Sequence, residues 1–122
     1  RIAVFGAGAW GTALALAFAR GHQVVLWSRE SAEIAALRAD GENRRYLPGI
    51  PLPAEIELTD SLPEAAKADL HLVVTPLAGL RATARALRAG HAHVHRERLA
   101  GAHVAAQVSH TGWLKLTSTW LP

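Results

Sequence analysis

Three glycines close to the start of the chain have the spacing of a phosphate-binding turn. Gly6, Gly8 and Gly11 form the pattern G-x-G-x-x-G directly after the short apolar run at residues 1–5. In such a turn the first glycine permits a sharp bend, the second lets a pyrophosphate approach the backbone, and the third lets the next helix pack against the strand. The unpaired N–H groups at the start of that helix attract an anion. The pattern therefore predicts that these glycines bind the pyrophosphate of a dinucleotide.

The alternative is a turn with a purely structural role, because glycine-rich turns are common and the pattern alone is a weak signal. Its surroundings favour the binding interpretation. The pattern follows a predicted strand, opens an alanine-rich helix predicted at residues 10–20, and precedes a second predicted strand at residues 23–27. A strand, a turn, a helix and a second strand in this order form the unit in which dinucleotides are bound.

Ser28 and Arg29, at the end of the second predicted strand, indicate which dinucleotide is bound. Sites that prefer NAD usually present an acidic residue there, which holds the ribose 2′-hydroxyl. A hydroxyl and a guanidinium instead suit the 2′-phosphate of NADP, since arginine contacts phosphate through two hydrogen bonds. Two alternatives stay open: Arg29 is solvated while Ser28 begins the next helix, or Glu30 reaches the ribose and permits NAD. The sequence favours NADP, with NAD as the alternative.

The elements that must position these residues alternate along the chain. We predict strands at residues 1–5, 23–27, 55–59 and 70–75, and helices at residues 10–20, near 31–41, 61–68 and 77–89. Residues 42–53 are predicted to form a loop, because they contain three prolines and Gly49. Strands that alternate with helices predict an α/β fold, in which a doubly wound, mainly parallel sheet carries helices on both faces.

Several of these elements carry more detailed expectations. Gly21 is predicted to end the first helix in the left-handed conformation, and Ser31 to cap the second with its hydroxyl. Ser61 and Glu64 have the spacing of a capping box for the third helix. The inward-facing positions predicted for the last helix are Leu77, Leu80, Ala84 and Leu87. His71 interrupts an apolar strand, and we interpret it as a buried, neutral histidine with one backbone partner rather than as a catalytic residue.

Composition limits the class of protein. A chain of 122 residues without cysteine forms at most one domain and contains no disulfide, zinc–thiolate site or cysteine nucleophile. It has no apolar run of the roughly 20 residues that a membrane span requires. No secretory leader precedes the first strand, so we predict a cytoplasmic location. Position 1 is not methionine, which suggests a trimmed start.

The basic residues collect in the second part of the chain. Residues 77–122 hold six Lys or Arg and one acidic residue, within a net charge of +3. Basic tails can attract nucleic acid or membranes, but aromatic residues are not interleaved with these side chains and no nucleic-acid-binding module is recognisable. We therefore expect no nucleic-acid partner and no membrane span.

Four segments resemble the N-terminal domain of the bacterial NAD(P)-dependent glycerol-3-phosphate dehydrogenases. They are IAVFGAGAWGTALAL at residues 2–16, VLWSR at 25–29, ENRRYLPGIPLP at 42–53 and LVVTP at 72–76. The glycine pattern is shared by many oxidoreductases, whereas GAGAWGTALA together with YLPG is far more specific to this family. The resemblance extends over residues 1 to about 88.

The resemblance implies a Rossmann-like domain and hydride transfer between a nicotinamide cofactor and dihydroxyacetone phosphate, which yields sn-glycerol 3-phosphate for phospholipid synthesis. It also implies cofactor contacts, with Ala9 and Trp10 against the phosphates and Arg29 at the adenosine end. Tyr46 belongs to the YLPG loop, and Pro76 lies at a strand end that faces the nicotinamide side. Either of these two residues could instead only shape its loop.

Two lysines of the family have no counterpart in this chain. Family members carry one lysine in a Ser-Lys-Gly-like motif after the next strand, and a second, catalytic lysine in a separate helical domain. The chain contains only Lys67, which we expect to be solvated, and Lys115, while Ser-His-Thr-Gly at residues 109–112 lacks the lysine. We therefore expect cofactor binding without turnover, and no catalytic residue, in this chain. The alternatives are the cofactor domain of another NAD(P)-dependent dehydrogenase, a non-catalytic nucleotide-binding module, or an inert fragment.

The composition changes after residue 89, so we divide the chain into a partial NAD(P)-binding domain at residues 1–89 and a divergent tail at residues 90–122. Three interpretations of the tail stay open. The first is a divergent end of the sheet, with a poor strand at residues 102–108. The second is a metal site in which His91, His93 and His95 share one face of a strand, although acidic groups to support them are scarce. The third, our working hypothesis, is a truncated or frame-shifted product with rapidly exchanging amides, and no bound metal.

Overall fold

The computed structural model describes residues 1–94, 104–108 and 114–118, with side chains described for residues 1–89. In chain order the strands are β1 (Ile2–Phe5), β2 (Val24–Trp27), β3 (Glu42–Asn43), β4 (Leu47–Pro51), β5 (Ile56–Thr59), β6 (Leu70–Val73), β7 (Val104–Val108) and β8 (Leu114–Ser118). The helices are α1 (Ala9–Ala19), α2 (Ser31–Asp40), α3 (Leu62–Ala66) and α4 (Leu77–Val94). Each predicted strand and helix is therefore present, with shifted ends.

Six of the strands form one sheet in the order β5-β2-β1-β6-β7-β8. The strands from β5 to β7 are parallel, and β8 is antiparallel to β7. The predicted doubly wound, mainly parallel α/β fold is confirmed. The strand order reverses at β1, because the chain moves outward through β2 and β5 and then returns to β6 on the other side of β1. In sheets of this kind ligands bind at the carboxyl ends of the strands at this switch point.

The hydrophobic core lies on both faces of the sheet. Successive side chains of a strand point to opposite faces, so Val4 belongs to one core cluster and Phe5 to the other. The first cluster includes Ala15 of α1 and Ile34 of α2, and the second includes Leu87 of α4. Strands β1 and β2 are buried along their whole length, which explains why their sequences are continuously apolar.

Two predictions about helix ends are wrong. Gly21 does not adopt the left-handed conformation, because α1 ends in right-handed backbone and the Gly21 N–H donates to the carbonyl of Phe18 at 3.1 Å. Ser31 does not cap α2, since Glu30 occupies the cap position and the Ser31 hydroxyl donates to the carboxylate of Asp60. Strand β5 pairs with β2, and this pairing brings Asp60 to the start of α2.

Two other helix ends follow the prediction. Gly41 ends α2 in the left-handed conformation at φ 66°. At the start of α3 the Ser61 hydroxyl accepts the N–H of Glu64 at 3.4 Å, which is one of the two bonds of the predicted capping box. The Ser61 N–H donates to the hydroxyl of Thr59 instead of to Glu64. These ends depend on residues within one turn of the helix, so their prediction needs no tertiary contact.

Helix α4 presents a different face to the core from the predicted one. Leu80 is half-buried and Leu87 is buried, as predicted, but Leu77 is 68% exposed and Ala84 is also exposed. Thr83 is buried in their place. Positions 80, 83, 84 and 87 all lie on one side of a helix by their spacing. The packing of α4 therefore decides that Thr83 is buried and Ala84 is exposed.

Residues 42–53, which were predicted to form a loop, contain a β-hairpin. Strands β3 and β4 pair antiparallel with Glu42 opposite Pro51. The Glu42 carboxylate accepts the N–H of Gly49 at 2.8 Å and the Nε–H of Arg44 at 3.0 Å. The hydrogen bond from the Gly49 N–H, and then that from Arg44, lower the pKa of Glu42 below its ordinary value. Side-chain contacts of this kind organise the segment in spite of its prolines.

His71, in β6, has the predicted backbone partner but is half-buried rather than buried. Its Nε2 lies 3.1 Å from the carbonyl oxygen of Ala66, which is a backbone partner of the predicted kind. Its ring meets the ring of Phe5 edge-on, with 5.4 Å between the ring centroids. These contacts place His71 in the packing between β6, β1 and the segment after α3.

Strands β7 and β8 belong to the tail beyond residue 89. Strand β7 falls within the range that one interpretation assigned to a strand, and it pairs with β6. His91 and His93 lie in α4, not in a strand as the metal-site interpretation requires, whereas His95 and residues 109–112 lie outside the described residues. The division of the chain at residue 89 stays a prediction. Of the helices that the structure describes, none combines the length and the apolar character that crossing a membrane demands.

Candidate dinucleotide site at the carboxyl edge of the sheet

The glycine turn connects β1 to α1 at the switch point of the sheet, and two of its glycines are required by backbone contacts. Gly6 has φ 124°, and a Cβ there would lie 2.8 Å from the carbonyl oxygen of Val74, just beyond β6. A Cβ at Gly11 would lie 1.7 Å from the carbonyl oxygen of Gly6. No side chain fits at either position, so the turn keeps its close contact with both α1 and the end of β6.

Gly8 has a different role, because its missing side chain leaves open space. It is the cap residue of α1, and a Cβ at this position would meet nothing within 4 Å. The residues next to it, Ala9 and Trp10, are exposed and begin the helix. The first N–H groups of a helix have no partner within the helix, and together with the helix dipole they favour an anion. The open space and these donors fit a phosphate group.

A buried amide joins the hairpin to the glycine turn, and the sequence motifs did not reveal it. The Nδ2 of Asn43 donates to the carbonyl oxygen of Ala7 and to the hydroxyl of Thr12, both at 2.8 Å. The Thr12 hydroxyl in turn donates to the carbonyl oxygen of Gly8 at 2.8 Å. In the sequence Asn43 resembles any polar loop residue. The only available signal was Thr12 itself, a single polar residue within an alanine-rich helix.

The hairpin carries Tyr46 and lies beside the turn through this link. Tyr46 is 40% exposed, and the guanidinium of Arg45 lies 5.1 Å from the centroid of its ring. Trp10, in the first turn of α1, is 65% exposed. Large apolar side chains that remain exposed often mark a binding surface, and Trp10 lies two residues from Gly8 in the chain.

The two side chains at the end of β2 differ in how firmly other protein groups hold them. Ser28 is 5% exposed, and its hydroxyl donates to the carboxylate of Glu33 and accepts the N–H of Glu30 at 3.2 Å. Arg29 is exposed, and its Nε lies 3.4 Å from the carboxylate of Glu30, which is also exposed. The hydroxyl of Ser28 is therefore already engaged by protein groups. The Arg29 guanidinium can leave a surface ion pair at little cost.

The end of β6 contributes a carbonyl and an unpaired hydroxyl. The Pro76 carbonyl accepts the N–H groups of Gly79 and Leu80, at 2.8 and 3.2 Å, and so starts α4. The adjacent Thr75 has a buried hydroxyl oxygen for which the described residues provide no hydrogen-bond partner. A buried polar atom without a partner is costly, and this one lies at the strand end next to the glycine turn, where a ligand would be bound.

The structure brings the predicted site residues at the strand ends to the same edge of the sheet. The glycine turn follows β1, Ser28 and Arg29 follow β2, and Pro76 follows β6, and these three strands are adjacent and parallel. Tyr46 is linked to this edge through Asn43, which accepts the Tyr46 N–H and donates to the carbonyl of Ala7. Lys67 is not part of this arrangement, since its ammonium group lies 2.7 Å from the carboxylate of Glu64 in an exposed ion pair.

Comparisons with known proteins point to one family. A family model described as the N-terminus of NAD-dependent glycerol-3-phosphate dehydrogenase matches residues 1–110. The glycerol-3-phosphate dehydrogenase (NAD(P)+) of Aromatoleum aromaticum is 66% identical over 83 residues, which are 67% of this chain and 25% of that protein. The corresponding protein of Nitrosospira multiformis is 51% identical over 94 residues, 73% of this chain and 28% of its own length. The chain thus spans about a quarter of the length of the curated relatives it matches.

Solved structures show the same fold. Glycerol-3-phosphate dehydrogenase from Coxiella burnetii superposes with a TM-score of 0.56 at 43% identity, over 59% of this chain and 23% of that chain. Glycerol-3-phosphate dehydrogenase from Saccharomyces cerevisiae has a TM-score of 0.68 over 95% of this chain and 36% of its own. Because its sequence is only 21% identical, this second structure shows the fold alone. The family match reaches residue 110, beyond the residues covered by the four sequence segments.

Proposed function

The chain belongs to the NAD-dependent glycerol-3-phosphate dehydrogenase family, whose N-terminal domain it matches, and we propose that it binds a nicotinamide dinucleotide at the glycine turn. The observation that carries this proposal is the open space at Gly8, in front of the first turn of α1 and at the switch point of the sheet. A pyrophosphate placed there would meet backbone N–H groups and no side chain.

The residues of the site divide by the part of the dinucleotide that each would hold. Gly6 and Gly11 shape the turn, and Gly8, Ala9 and Trp10 lie against the phosphates. Ser28 and Arg29 lie at the adenosine end, and Tyr46 and Pro76 lie at the rim of the site. Tyr46 and Trp10 are exposed enough to cover a ligand. Several weak contacts added to the phosphate site would then hold the dinucleotide in one orientation.

NADP is the proposed preferred cofactor, with NAD as the alternative. Arg29 can exchange its exposed partner Glu30 for a 2′-phosphate, because such ion pairs contribute little in water. Ser28 supports the strand end rather than the phosphate, since its hydroxyl is occupied by Glu33. Glu33 therefore opposes the preference, because its carboxylate lies close to the position that a 2′-phosphate would approach.

We infer that the complete protein is an oxidoreductase that interconverts dihydroxyacetone phosphate and sn-glycerol 3-phosphate in glycerophospholipid biosynthesis. When bound, the nicotinamide ring supplies or accepts the hydride. The residues of this chain bind and orient the dinucleotide, and we assign no catalytic residue among them. Contacts to the phosphorylated substrate belong to parts of the protein that the chain does not span. We place the protein in the cytoplasm and propose no nucleic-acid partner.

Titration of the purified chain with NADPH and NADH, followed by nucleotide fluorescence, tests the proposal. We expect saturable binding of both, tighter for NADPH. If the chain binds neither NADPH nor NADH, the proposed function is wrong and the chain is an inert fragment. In the same preparation we expect no reduction of dihydroxyacetone phosphate, and measurable reduction would overturn the assignment of turnover to the rest of the protein.

A further inference from the structure

Asn43 is a buried polar residue to which the proposed ligand contacts assign no role. It is 3% exposed, and its Nδ2 donates to the carbonyl oxygen of Ala7 and to the hydroxyl of Thr12. Its Oδ1 accepts the N–H of Tyr46 at 3.2 Å. The orientation of the amide is determined by its partners, because a carbonyl can only accept and a backbone N–H can only donate. Both ends of the side chain are therefore engaged.

The contacts of Asn43 reach two consecutive carbonyls of the glycine turn. The carbonyl of Ala7 is bound directly, and the carbonyl of Gly8 is bound by the Thr12 hydroxyl, which Asn43 also contacts. Thr12 is fully buried, with 0% exposure. The Ala7 carbonyl thus points towards the interior, where the amide of Asn43 holds it. The Gly8 carbonyl points along α1, since it also accepts the backbone N–H of Thr12 at 3.0 Å.

The direction of these carbonyls decides the direction of the next N–H groups. In a trans peptide unit the C=O and the following N–H point in opposite directions, and the described residues contain no cis peptide bond. With the Ala7 carbonyl turned inward, the Gly8 N–H is turned outward. The Ala9 N–H is likewise opposite to the Gly8 carbonyl, whose direction is set by α1. The Gly8 N–H has no acceptor among the residues that the structure describes. Outside it lies the open space that a Cβ at Gly8 would enter.

We propose that Asn43 is a positioning residue for the pyrophosphate site, which turns the N–H group of Gly8 towards the ligand without touching it and supports the first turn of α1 through the hydroxyl of Thr12. The inference rests on the proposed dinucleotide binding. It gives the hairpin a functional role, since the hairpin supplies Asn43 and so holds the phosphate turn in its binding conformation. Hydrogen bonds whose only task is to orient other donors are effective because the oriented groups need no rearrangement when the anion arrives.

Asn43→Asp tests this proposal in the full 122-residue chain. The substitution keeps the shape of the side chain and the acceptor for Tyr46, but a carboxylate donates neither bond to the turn. At pH 8 we expect the affinities for NADH and NADPH to fall together by about tenfold to a hundredfold. Burial raises the pKa of the introduced carboxyl above the ordinary value of about 3.9. As the pH falls towards 5 the carboxyl gains a proton and a donor, so part of the affinity returns.

Gln23→Glu is the matched control, because it makes the same chemical change at an exposed position before β2. We expect its affinity to follow that of the parent chain at each pH. An Asn43→Asp variant that binds like the parent from pH 8 to pH 5, or one whose loss does not recover as the pH falls, would overturn the inference. A parent chain that binds neither nucleotide would overturn the proposed function instead.

A second pair of variants covers the case in which Asn43→Asp does not fold. Thr12→Val keeps the volume of the side chain and removes the hydroxyl between Asn43 and the Gly8 carbonyl, whereas Thr12→Ser keeps the hydroxyl. We expect a loss of about threefold to tenfold in NADH affinity for the valine variant, and near-parent affinity for the serine variant. Equal affinities of the two variants would overturn the inference.

Discussion

At the phosphate end of the proposed site the backbone provides the shape, whereas at the adenosine end exposed side chains do. The phosphate end is held by contacts in which no atom can be added, such as the 1.7 Å that would separate a Cβ at Gly11 from the Gly6 carbonyl. Asn43, which is 3% exposed, holds this end from the protein interior by a hydrogen bond to the carbonyl of Ala7. The adenosine end instead presents Arg29 and Glu30, whose side chains are 77% and 68% exposed.

The difference matches the chemistry of the two parts of a dinucleotide. The pyrophosphate is common to NAD and NADP, so a rigid backbone cradle serves both. The 2′ position is where the two cofactors differ, and surface side chains can change there without disturbing the fold. We therefore expect substitutions at the phosphate end to weaken both cofactors equally, and substitutions at the adenosine end to change their ratio.

Gly11→Ala has the largest expected effect. The turn or α1 must move by about 1 Å to admit the methyl group, which displaces the N–H groups that would bind the pyrophosphate. In catalysis a misplacement on this scale costs about a hundredfold in rate, and we take the same factor for affinity. We expect the affinities for NADH and NADPH to fall at least that far, together with a lower midpoint of thermal unfolding. Calorimetric titration and a thermal melt measure both. Gly21→Ala is the control, since a Cβ at Gly21 meets nothing within 4 Å. Retained binding in the Gly11 variant would show that the phosphate end does not depend on a rigid backbone.

Arg29→Ala has the next largest expected effect, and it should lower the affinity for only one of the two cofactors. Loss of a charged hydrogen bond to the 2′-phosphate lowers the affinity for NADPH by about tenfold or more, while the affinity for NADH stays within about twofold of the parent value. The ratio of the two dissociation constants is the quantity to measure. Arg20→Ala, which removes another exposed arginine at the end of α1, is the control. An equal loss of both cofactors would show that Arg29 does not discriminate between them.

Glu33→Gln should move the ratio in the other direction by a smaller amount. The glutamine amide still accepts the hydroxyl of Ser28, but the negative charge near the 2′ position is lost. A charge in this partly solvated position is worth about 1 kcal/mol or less, so we expect NADPH affinity to rise about twofold to fivefold relative to NADH. Glu55→Gln, before β5 at the opposite edge of the sheet, is the control. An unchanged ratio of the NADPH and NADH affinities would show that Glu33 does not influence the cofactor preference.

The smallest effect concerns the hairpin behind the phosphate end. The hydrogen bond from the Gly49 N–H lowers the pKa of Glu42 from 4.5, so the carboxylate stabilises the hairpin above that pH. This contribution is lost as the pH falls through the lowered pKa. We expect the chemical shift of the Gly49 amide proton to titrate with a midpoint below 4.5, and this titration to vanish in Glu42→Gln. A midpoint at or above the ordinary value would contradict the contact.

The local patterns in the sequence were sufficient for the elements of the phosphate end. Continuous apolar runs predicted the buried strands β1 and β2, and the glycine spacing predicted the turn between β1 and α1. Gly41 and Ser61 marked helix ends correctly because a helix end depends on its own few residues. The prediction for Ser31 was wrong, because its partner Asp60 comes from another part of the fold. On α4 the inward positions Leu80 and Leu87 are confirmed, whereas those of Leu77 and Ala84 were wrong, because packing against the rest of the fold buries Thr83 instead.

The sequence by itself determined the alternation of strands and helices, the phosphate turn and the family, because these follow from residue types at short spacing. Only the tertiary structure decided how the site is completed. Asn43 meets Ala7 across 36 residues of chain, and the sheet order brings the ends of β2, β1 and β6 together. Contacts at such separations depend on how the whole chain is packed, and no local pattern of residues carries that information.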